Sequence, residues 1–126
     1  MSDRVLIDVD HGVAHVRLNR PDKLNALDPE MFDAIADAGA SLSQRAGLRA
    51  VVLSGEGRSF CAGLDFAAFM AGGEQAQGKL IGERIGHANL AQRVAWTWRE
   101  LPVPVIAAVR GHCFGGGLQI AMGADL

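Results

Sequence analysis

The fold of this chain is decided by residues 103–122, which read VPVIAAVRGHCFGGGLQIAM. The first half is an unbroken apolar run rich in β-branched residues, which predicts a strand buried on both faces, as in a parallel or mixed sheet. The second half places three glycines, Gly115 to Gly117, before a short apolar helical pattern. A helix start carries unpaired N–H groups and a partial positive charge, so such a turn can hold a small anion or a developing oxyanion. The glycines alone leave a second interpretation open, a turn needed only for close helix–strand packing.

The composition argues against several classes of protein. The chain has 126 residues, of which 49% are hydrophobic and 21% charged, and this fits one domain with its own core. A net charge of −2 without a long basic run gives no reason to expect nucleic acid as a partner. Cys61 and Cys113 form neither a disulfide framework nor a metal-site spacing, and no apolar run suggests a signal peptide or a membrane span. We therefore expect a cytoplasmic protein with no metal site.

The N-terminal half predicts strands and one helix. Residues 5–9 and 13–18 are β-rich runs on either side of Asp10-His11-Gly12, which predicts a hairpin. Asp28 followed by proline is typical of a helix start. Residues 49–55 form a third strand, so the strand–helix–strand order predicts a right-handed crossover onto the same sheet.

The middle of the chain predicts helices around a loop. Residues 66–70 predict a helical turn or two, residues 71–78 a mobile glycine-rich loop, and residues 79–101 a longer helix. Trp96 and Trp98 cannot share one face of that helix, so we expect one in the core and the other at an interface or a pocket rim.

A second glycine-rich corner, SFCAGLD at residues 59–65, follows the third strand. Like the first corner, it has small residues at its turn and opens a helix. If the strands before the two corners lie side by side, the N–H groups of Leu64 and Gly116 can point at one oxygen. Two such donors would stabilise an enolate-like oxyanion, and because backbone amides do not titrate they would act over a wide pH range.

Three motifs together resemble the enoyl-CoA hydratase/isomerase (crotonase) superfamily: NRPDKLNAL at 19–27, SFCAGLD at 59–65, and PVIAAVRG at 104–111 with the triple glycine after it. The resemblance covers essentially the whole chain. It implies an α/β fold of the ClpP/crotonase type, a spiral of ββα units, with residues 1–126 as the N-terminal portion of the crotonase core. Residues 123–126 leave the last helical pattern towards another strand. We therefore expect the front part of a longer protein, without the C-terminal helical trimerisation region.

The resemblance also implies a function, that of an acyl-CoA thioester enzyme. It would be a lyase or isomerase of fatty acid metabolism that hydrates an enoyl-CoA or moves its double bond. Coenzyme A would be part of the substrate rather than a cofactor, and the full-length protein would be a homotrimer or a dimer of trimers. The thioester oxygen would lie in an oxyanion hole between the N–H groups of Leu64 and Gly116. The substrate-binding residues implied are Leu24, Ala26, Leu27, Ala62, Gly63, Asp65, Phe66 and Gly115.

One position departs from the family pattern. Hydratases of this family hold a general acid/base glutamate two residues after the triple glycine, where this chain has Gln119. An amide cannot exchange a proton at neutral pH, so Gln119 could only orient water or substrate. Other chemistries of the superfamily (decarboxylation, dehalogenation, thioester hydrolysis) therefore stay open, as does a non-catalytic acyl-CoA-binding subunit.

The roles of five other side chains near these motifs can be interpreted from their sequence neighbours. Asp65 is interpreted as a cap of the following helix in preference to a proton-transfer group, and Cys61 as a small packing residue. His112 has no partner at triad spacing. Arg20 and Lys23 are either contacts for coenzyme A phosphates or solvated surface cations.

Overall fold

A computed structural model describes residues 3–82 and 84–126 of the chain. Within these ranges the strands and helices alternate as a mixed α/β fold, and a short 3₁₀ turn, Pro21–Lys23, follows the second strand. The elements, in chain order, are β1 (Val5–Asp10), β2 (Val13–Leu18), α1 (Pro29–Ser43), β3 (Ala50–Gly55), α2 (Phe66–Ile81), α3 (Leu90–Glu100), β4 (Val105–Ala107) and α4 (Gly116–Met122).

The four strands form one sheet in the order β1-β2-β3-β4. The predicted hairpin is confirmed, because β1 and β2 are antiparallel around a turn in which His11 and Gly12 have φ values of 51° and 81°. Positive φ at both central residues is typical of a two-residue hairpin turn. β3 is parallel to β2, with Val13 opposite Ala50, and β4 is parallel to β3. α1 therefore makes the crossover from β2 to β3.

α1 begins at the predicted cap. The carboxylate of Asp28 accepts the N–H of Met31 at 2.8 Å, and Pro29 occupies the first helical position. The helix packs against α3, and its buried stripe meets the inner face of the sheet. The largest fully buried side chains of the core include Val16, Leu27, Met31, Ile35, Leu53, Phe60, Trp98, Val105 and Ile120.

The predicted loop at residues 71–78 is wrong. This segment belongs to α2, which continues to Ile81 with a break in its helical geometry at Gly73, where φ is 63° and ψ is −152°. Glycines weaken a helix, so a tertiary contact must compensate. Phe69 supplies one, since its ring packs edge-on against Phe32 of α1 with a centroid separation of 5.7 Å.

The longer helix predicted from residue 79 starts later than expected. α3 begins at Leu90, because Asn89 and Gln92 form a reciprocal capping box in which each side chain accepts the other's backbone N–H. The prediction for the tryptophans is confirmed. Trp98 is 1% exposed, whereas Trp96 is 42% exposed at the edge of a pocket.

β4 is shorter and more open than the sequence predicts. Val105 is fully buried, but Ile106 is 37% exposed, so within the described residues one face of this strand is uncovered. The end of the chain pairs with β4, since Asp125 donates to the carbonyl of Val105 at 2.8 Å and Leu126 accepts from Ala107 at 2.9 Å. Residues 125–126 thus lie beside β4 as the predicted next strand would.

None of the helices in residues 3–82 and 84–126 combines the length and apolar character needed to cross a bilayer.

The contact between α1 and α3 can be tested with two glycines. A Cβ at Gly39 in α1 would lie 1.9 Å from Oγ1 of Thr97 in α3, whereas a Cβ at Gly78 in α2 would meet nothing within 4 Å. We expect Gly39→Ala to lower the free energy of unfolding by about 1–3 kcal/mol because the helices must separate. The matched control, Gly78→Ala, should leave it unchanged or raise it by up to about 1 kcal/mol. Urea denaturation measures both values, and equal stabilities would contradict the described helix packing.

Candidate active site

The two glycine-rich corners lie side by side. The N–H of Cys61 donates to the carbonyl of His112 at 3.0 Å, and the N–H of Phe114 donates back to the carbonyl of Cys61 at 3.1 Å. Cys61 and Cys113 are therefore partners in a parallel β-bridge. The strands that precede the corners, β3 and β4, are neighbours in the sheet, and this is why the corners meet.

This approach is closer than a side chain would allow. A Cβ at Gly63, where φ is 97°, would lie 2.8 Å from the carbonyl oxygen of Phe114. A Cβ at Gly117 would lie 2.5 Å from the carbonyl oxygen of Cys61. The packing interpretation of the glycines is thus confirmed at Gly117, and it does not compete with a binding role for its neighbours.

A third segment, residues 24–27, flanks the first corner on its other side. Ala62 donates to the carbonyl of Leu24 at 2.9 Å, and Leu27 donates to the carbonyl of Gly63 at 2.7 Å. The carbonyl of Leu27 in turn accepts the N–H of Asp65 at 2.9 Å. The first corner is therefore held between the 24–27 segment and the second corner.

The pairing decides where the N–H of Leu64 points. The carbonyl of Gly63 points towards Leu27, and the structure contains no cis peptide bond in the described residues. In a planar trans peptide the C=O and the following N–H point in opposite directions. The N–H of Leu64 therefore faces away from Leu27, towards the side of the second corner, and no described protein group accepts it.

The N–H of Gly116 is unpaired for a different reason. Gly116 is the first residue of α4, and the carbonyl before it, that of Gly115, accepts from Gln119 inside the helix at 3.1 Å. By the same planarity the N–H of Gly116 points out of the helix N-terminus. Within the described residues it also has no acceptor. Two free backbone donors thus lie on adjoining segments.

Asn25 holds these segments together, and the sequence analysis did not single it out. Its side chain is fully buried, and Nδ2 lies 2.9–3.1 Å from the carbonyl oxygens of Glu56, Ser59 and Phe60. Its Oδ1 accepts the N–H of Arg20 at 2.7 Å. Asn25 also has φ of 57°, a left-handed conformation that asparagine tolerates better than most residues. The available signal in the sequence was an asparagine inside the turn-rich NRPDKLNAL motif.

Asp65 caps α2, as the sequence predicts. Its Oδ1 accepts the N–H of Ala68 at 3.0 Å, and its Oδ2 accepts Nη1 of Arg20 at 2.8 Å. The N–H of Ala68 and the guanidinium of Arg20 hold the pKa of Asp65 below its usual value. Asp65 is therefore ionised at neutral pH, and both of its oxygens are engaged by Ala68 and Arg20, which argues against proton transfer by this carboxylate. Arg20 is mostly buried with its guanidinium paired to Asp65, whereas Lys23 is exposed.

The thiols and the histidine of the corners have no catalytic geometry. Burial raises the pKa of Cys61 to about 11, and its Sγ donates to the carbonyl of Asn25 at 3.1 Å. The interpretation of Cys61 as a packing residue is thus supported. The ring of His112 is exposed and stacks edge-on against Phe114 at 4.9 Å. Among residues 3–82 and 84–126, no group of three or more His, Cys, Asp or Glu side chains could hold a metal ion.

Gln119 opens onto a pocket between α3 and α4. The pocket has a volume of about 680 Å³, and its lining includes apolar residues of α3 and α4 together with Gln119, His87, Gln92 and Arg99. Gln119 lies three positions after Gly116, so the amide side chain lies about one helical turn from the free N–H. The remaining predicted binding residues differ in exposure: Leu24, Ala26 and Ala62 are half-buried, Leu27 is buried, and Phe66 is 73% exposed.

Comparison with known proteins decides the family. The family model described as Enoyl-CoA hydratase/isomerase matches residues 8–126. The chain belongs to this family. The fold is that of crotonase-type proteins, since the chain superimposes along its whole length, with a TM-score of 0.85 and 33% identity, on an enoyl-CoA hydratase/isomerase from Xanthobacter autotrophicus Py2. The resemblance found in the three sequence motifs is confirmed.

Curated members of the family show what the chain is similar to. It is 35% identical over 97% of its length to (E)-benzylidenesuccinyl-CoA hydratase of Thauera aromatica, and covers 45% of that protein. It is 32% identical over 90% of its length to mouse mitochondrial Delta(3,5)-Delta(2,4)-dienoyl-CoA isomerase, and covers 36% of it. The chain thus spans less than half the length of these relatives.

The role of Asn25 can be tested with an isosteric change. Asn25→Asp keeps the size and the left-handed backbone preference but replaces the donor Nδ2 by an oxygen facing three carbonyl oxygens. We expect it to lower the free energy of unfolding by about 3 kcal/mol or more. Asn19→Asp is the control, since Asn19 makes one exposed hydrogen bond, to the carbonyl of Asp3; a change within about 1 kcal/mol is expected. Denaturant titration at neutral pH compares the two variants, and similar losses of unfolding free energy would show that Asn25 does not hold these segments together.

Proposed function

We propose that the protein containing this chain is an enzyme that acts on enoyl-CoA thioesters and catalyses hydration or double-bond isomerisation. The observation that carries the proposal is the pair of unpartnered backbone donors, Leu64 N–H and Gly116 N–H, on two adjoining segments. Donors fixed by the fold stabilise a developing oxyanion without reorganising during the reaction. The names of the relatives, a hydratase and an isomerase of CoA esters, support the same assignment.

In this mechanism the thioester carbonyl binds between the two N–H groups, which stabilise the enolate formed at the adjacent carbon. The pocket between α3 and α4, which begins at Gln119, would receive the acyl group because its wall is mostly apolar. Gln119 would orient water or substrate by hydrogen bonding, since its amide does not exchange protons at neutral pH. The general acid/base is therefore a group other than Gln119. Coenzyme A enters as part of the substrate and leaves as part of the product.

Assembly is part of the same proposal. A homotrimer or a dimer of trimers would cover apolar surface that the described residues leave open. On β4 and α4, Ile106 is 37% exposed, Leu118 50% and Met122 73%. Leu118 and Met122 are four residues apart and so share one face of α4. Exposed large apolar side chains of this kind are typical of a surface that contacts further protein.

Gln119 favours one second candidate, a non-catalytic subunit that binds acyl-CoA esters. It would keep both backbone donors but lack a group that transfers protons. Turnover of crotonyl-CoA and longer enoyl-CoAs by the native protein separates the candidates. Binding of a saturated acyl-CoA without any turnover of enoyl-CoA would favour the subunit.

The donor at Gly116 can be removed by substitution to proline, although a Cβ at this position would lie 2.6 Å from Cδ1 of Leu27, so that side chain must shift in any variant. Gly116 is the first residue of α4, a position at which proline is tolerated, so Gly116→Pro removes the N–H. Gly116→Ala is the matched control, because it keeps the N–H and makes the same contact of its Cβ with Leu27. We expect the proline variant to have a kcat about a hundredfold below that of the alanine variant. Steady-state kinetics with crotonyl-CoA measure this ratio, and equal values would remove Gly116 from the mechanism.

A further inference from the structure

Arg20 is a cation turned into the protein. Its side chain is 13% exposed, and Nη1 donates both to Oδ2 of Asp65 at 2.8 Å and to the carbonyl of Ala26 at 3.0 Å. By contrast, the ion pair between Lys79 and Asp33 is close to half exposed on both sides. A charge that is this far removed from water is held for its internal contacts.

The backbone of Arg20 belongs to the loop that flanks the first corner. Its N–H donates to the side chain of Asn25 at 2.7 Å, and its carbonyl accepts from Lys23 at 3.0 Å and from the N–H of Asn25 at 2.9 Å. The guanidinium therefore extends from a loop that is already fixed at several points. That loop continues to Leu27, whose backbone pairs on both sides of Leu64.

These contacts close a ring around Leu64. The peptide before Leu64 is held by Leu27 at 2.7 Å, and the peptide after it by Leu27 at 2.9 Å. The side chain of Asp65 accepts a hydrogen bond from Arg20, and Arg20 also donates to the carbonyl of Ala26, the neighbour of Leu27. Rotation of the Leu64 peptide would break one of these bonds.

We propose that Arg20 is a positioning residue: through Asp65 and Ala26 it fixes the direction in which the N–H of Leu64 points. The inference rests on the proposed function in one respect, that this N–H binds the thioester oxygen. Arg20 does not touch the substrate. Its effect on the reaction passes through the backbone of the first corner.

Only arginine and aspartate fulfil this role together. The carboxylate of Asp65 divides its two oxygens between the cap of α2 and the guanidinium. Asparagine would keep the cap but lose the ion pair. Nη1 of Arg20 bonds a carboxylate and a carbonyl at once. The planar guanidinium fixes the directions of its two N–H groups, whereas lysine offers a compact charge without that fixed geometry.

The kinetic test uses the native protein with Arg20→Gln, Arg20→Lys, Asp65→Asn and the double variant Arg20→Gln/Asp65→Asn. We expect kcat on crotonyl-CoA to fall about tenfold for Arg20→Gln, because a donor displaced by a fraction of an ångström binds the oxyanion poorly. The dissociation constant of butyryl-CoA should change less than about twofold, since ground-state binding uses many other contacts. Arg20→Lys should lie between Arg20→Gln and the wild type. The double variant should be no slower than the slower single variant, because both changes break the same link.

Lys79→Gln is the control, because it removes an ion pair to the same helix, α2, far from Leu64 along the chain. Its kcat should equal that of the wild type. If Arg20 only stabilised the fold, Arg20→Gln would lower the melting temperature but leave kcat unchanged at temperatures well below it. That result, or an equal loss of kcat in Lys79→Gln, would overturn the inference.

Hydrogen exchange separates this inference from the proposed function. In the native protein, Arg20→Lys and Asp65→Asn should speed exchange of the Leu27 and Asp65 amides by about tenfold, whereas Lys79→Gln should not. A wild type that turns over no enoyl-CoA would contradict the proposed function, and the exchange rates alone would then decide the role of Arg20. Unchanged exchange in both variants would overturn the positioning role whatever the activity.

Discussion

The buried amide of Asn25 is the constraint on which the rest of the site depends. One side chain faces three backbone carbonyls of the loop after β3 and, with its oxygen, holds the N–H of Arg20. Buried polar groups are stable only when they are paired, so this arrangement admits essentially one conformation of the loop. The position of Cys61, Gly63 and Leu64 follows from that conformation.

The free donors of the candidate site belong to the main chain rather than to side chains. The N–H groups of Leu64 and Gly116 are free because the carbonyl before each of them is already hydrogen-bonded. The carbonyl of Gly63 accepts from Leu27, and that of Gly115 accepts within the first turn of α4. A donor of this kind has no protonation state to lose in the working pH range. Its effect on a bound oxygen depends on the direction in which the N–H points, and that direction follows from the hydrogen bonds of neighbouring residues.

Two kinds of close packing make the arrangement possible. Glycine at positions 63 and 117 lets the two corners approach within backbone contact distance. Cys61 is fully buried, which raises the pKa of its thiol to about 11, and its Sγ bonds the carbonyl of Asn25 in the 24–27 segment. The ion pair between Arg20 and Asp65 then links the segment before Leu27 to the start of α2.

Much of the fold follows from local patterns. The turn at His11 and Gly12 and the Asp28 cap of α1 were both predicted, because each depends on residues close together in the chain. The sequence also marked both glycine-rich corners, since each follows an apolar strand, but it gave their side-by-side placement only as a condition. Leu64 and Gly116 could be named for the same reason, although their role stays a prediction.

Other features needed the three-dimensional contacts. Helix α2 runs through glycines that locally favour a loop, because its ring contact with α1 outweighs a weak propensity. The inward turn of Arg20 could not be inferred, since its partner Asp65 lies 45 residues away and a cation near a loop is ordinarily solvated. Periodicity and caps are short-range properties that a sequence displays directly. Which side chains distant in sequence form a pair depends on which of them are buried next to each other, and that is decided only when the chain is folded.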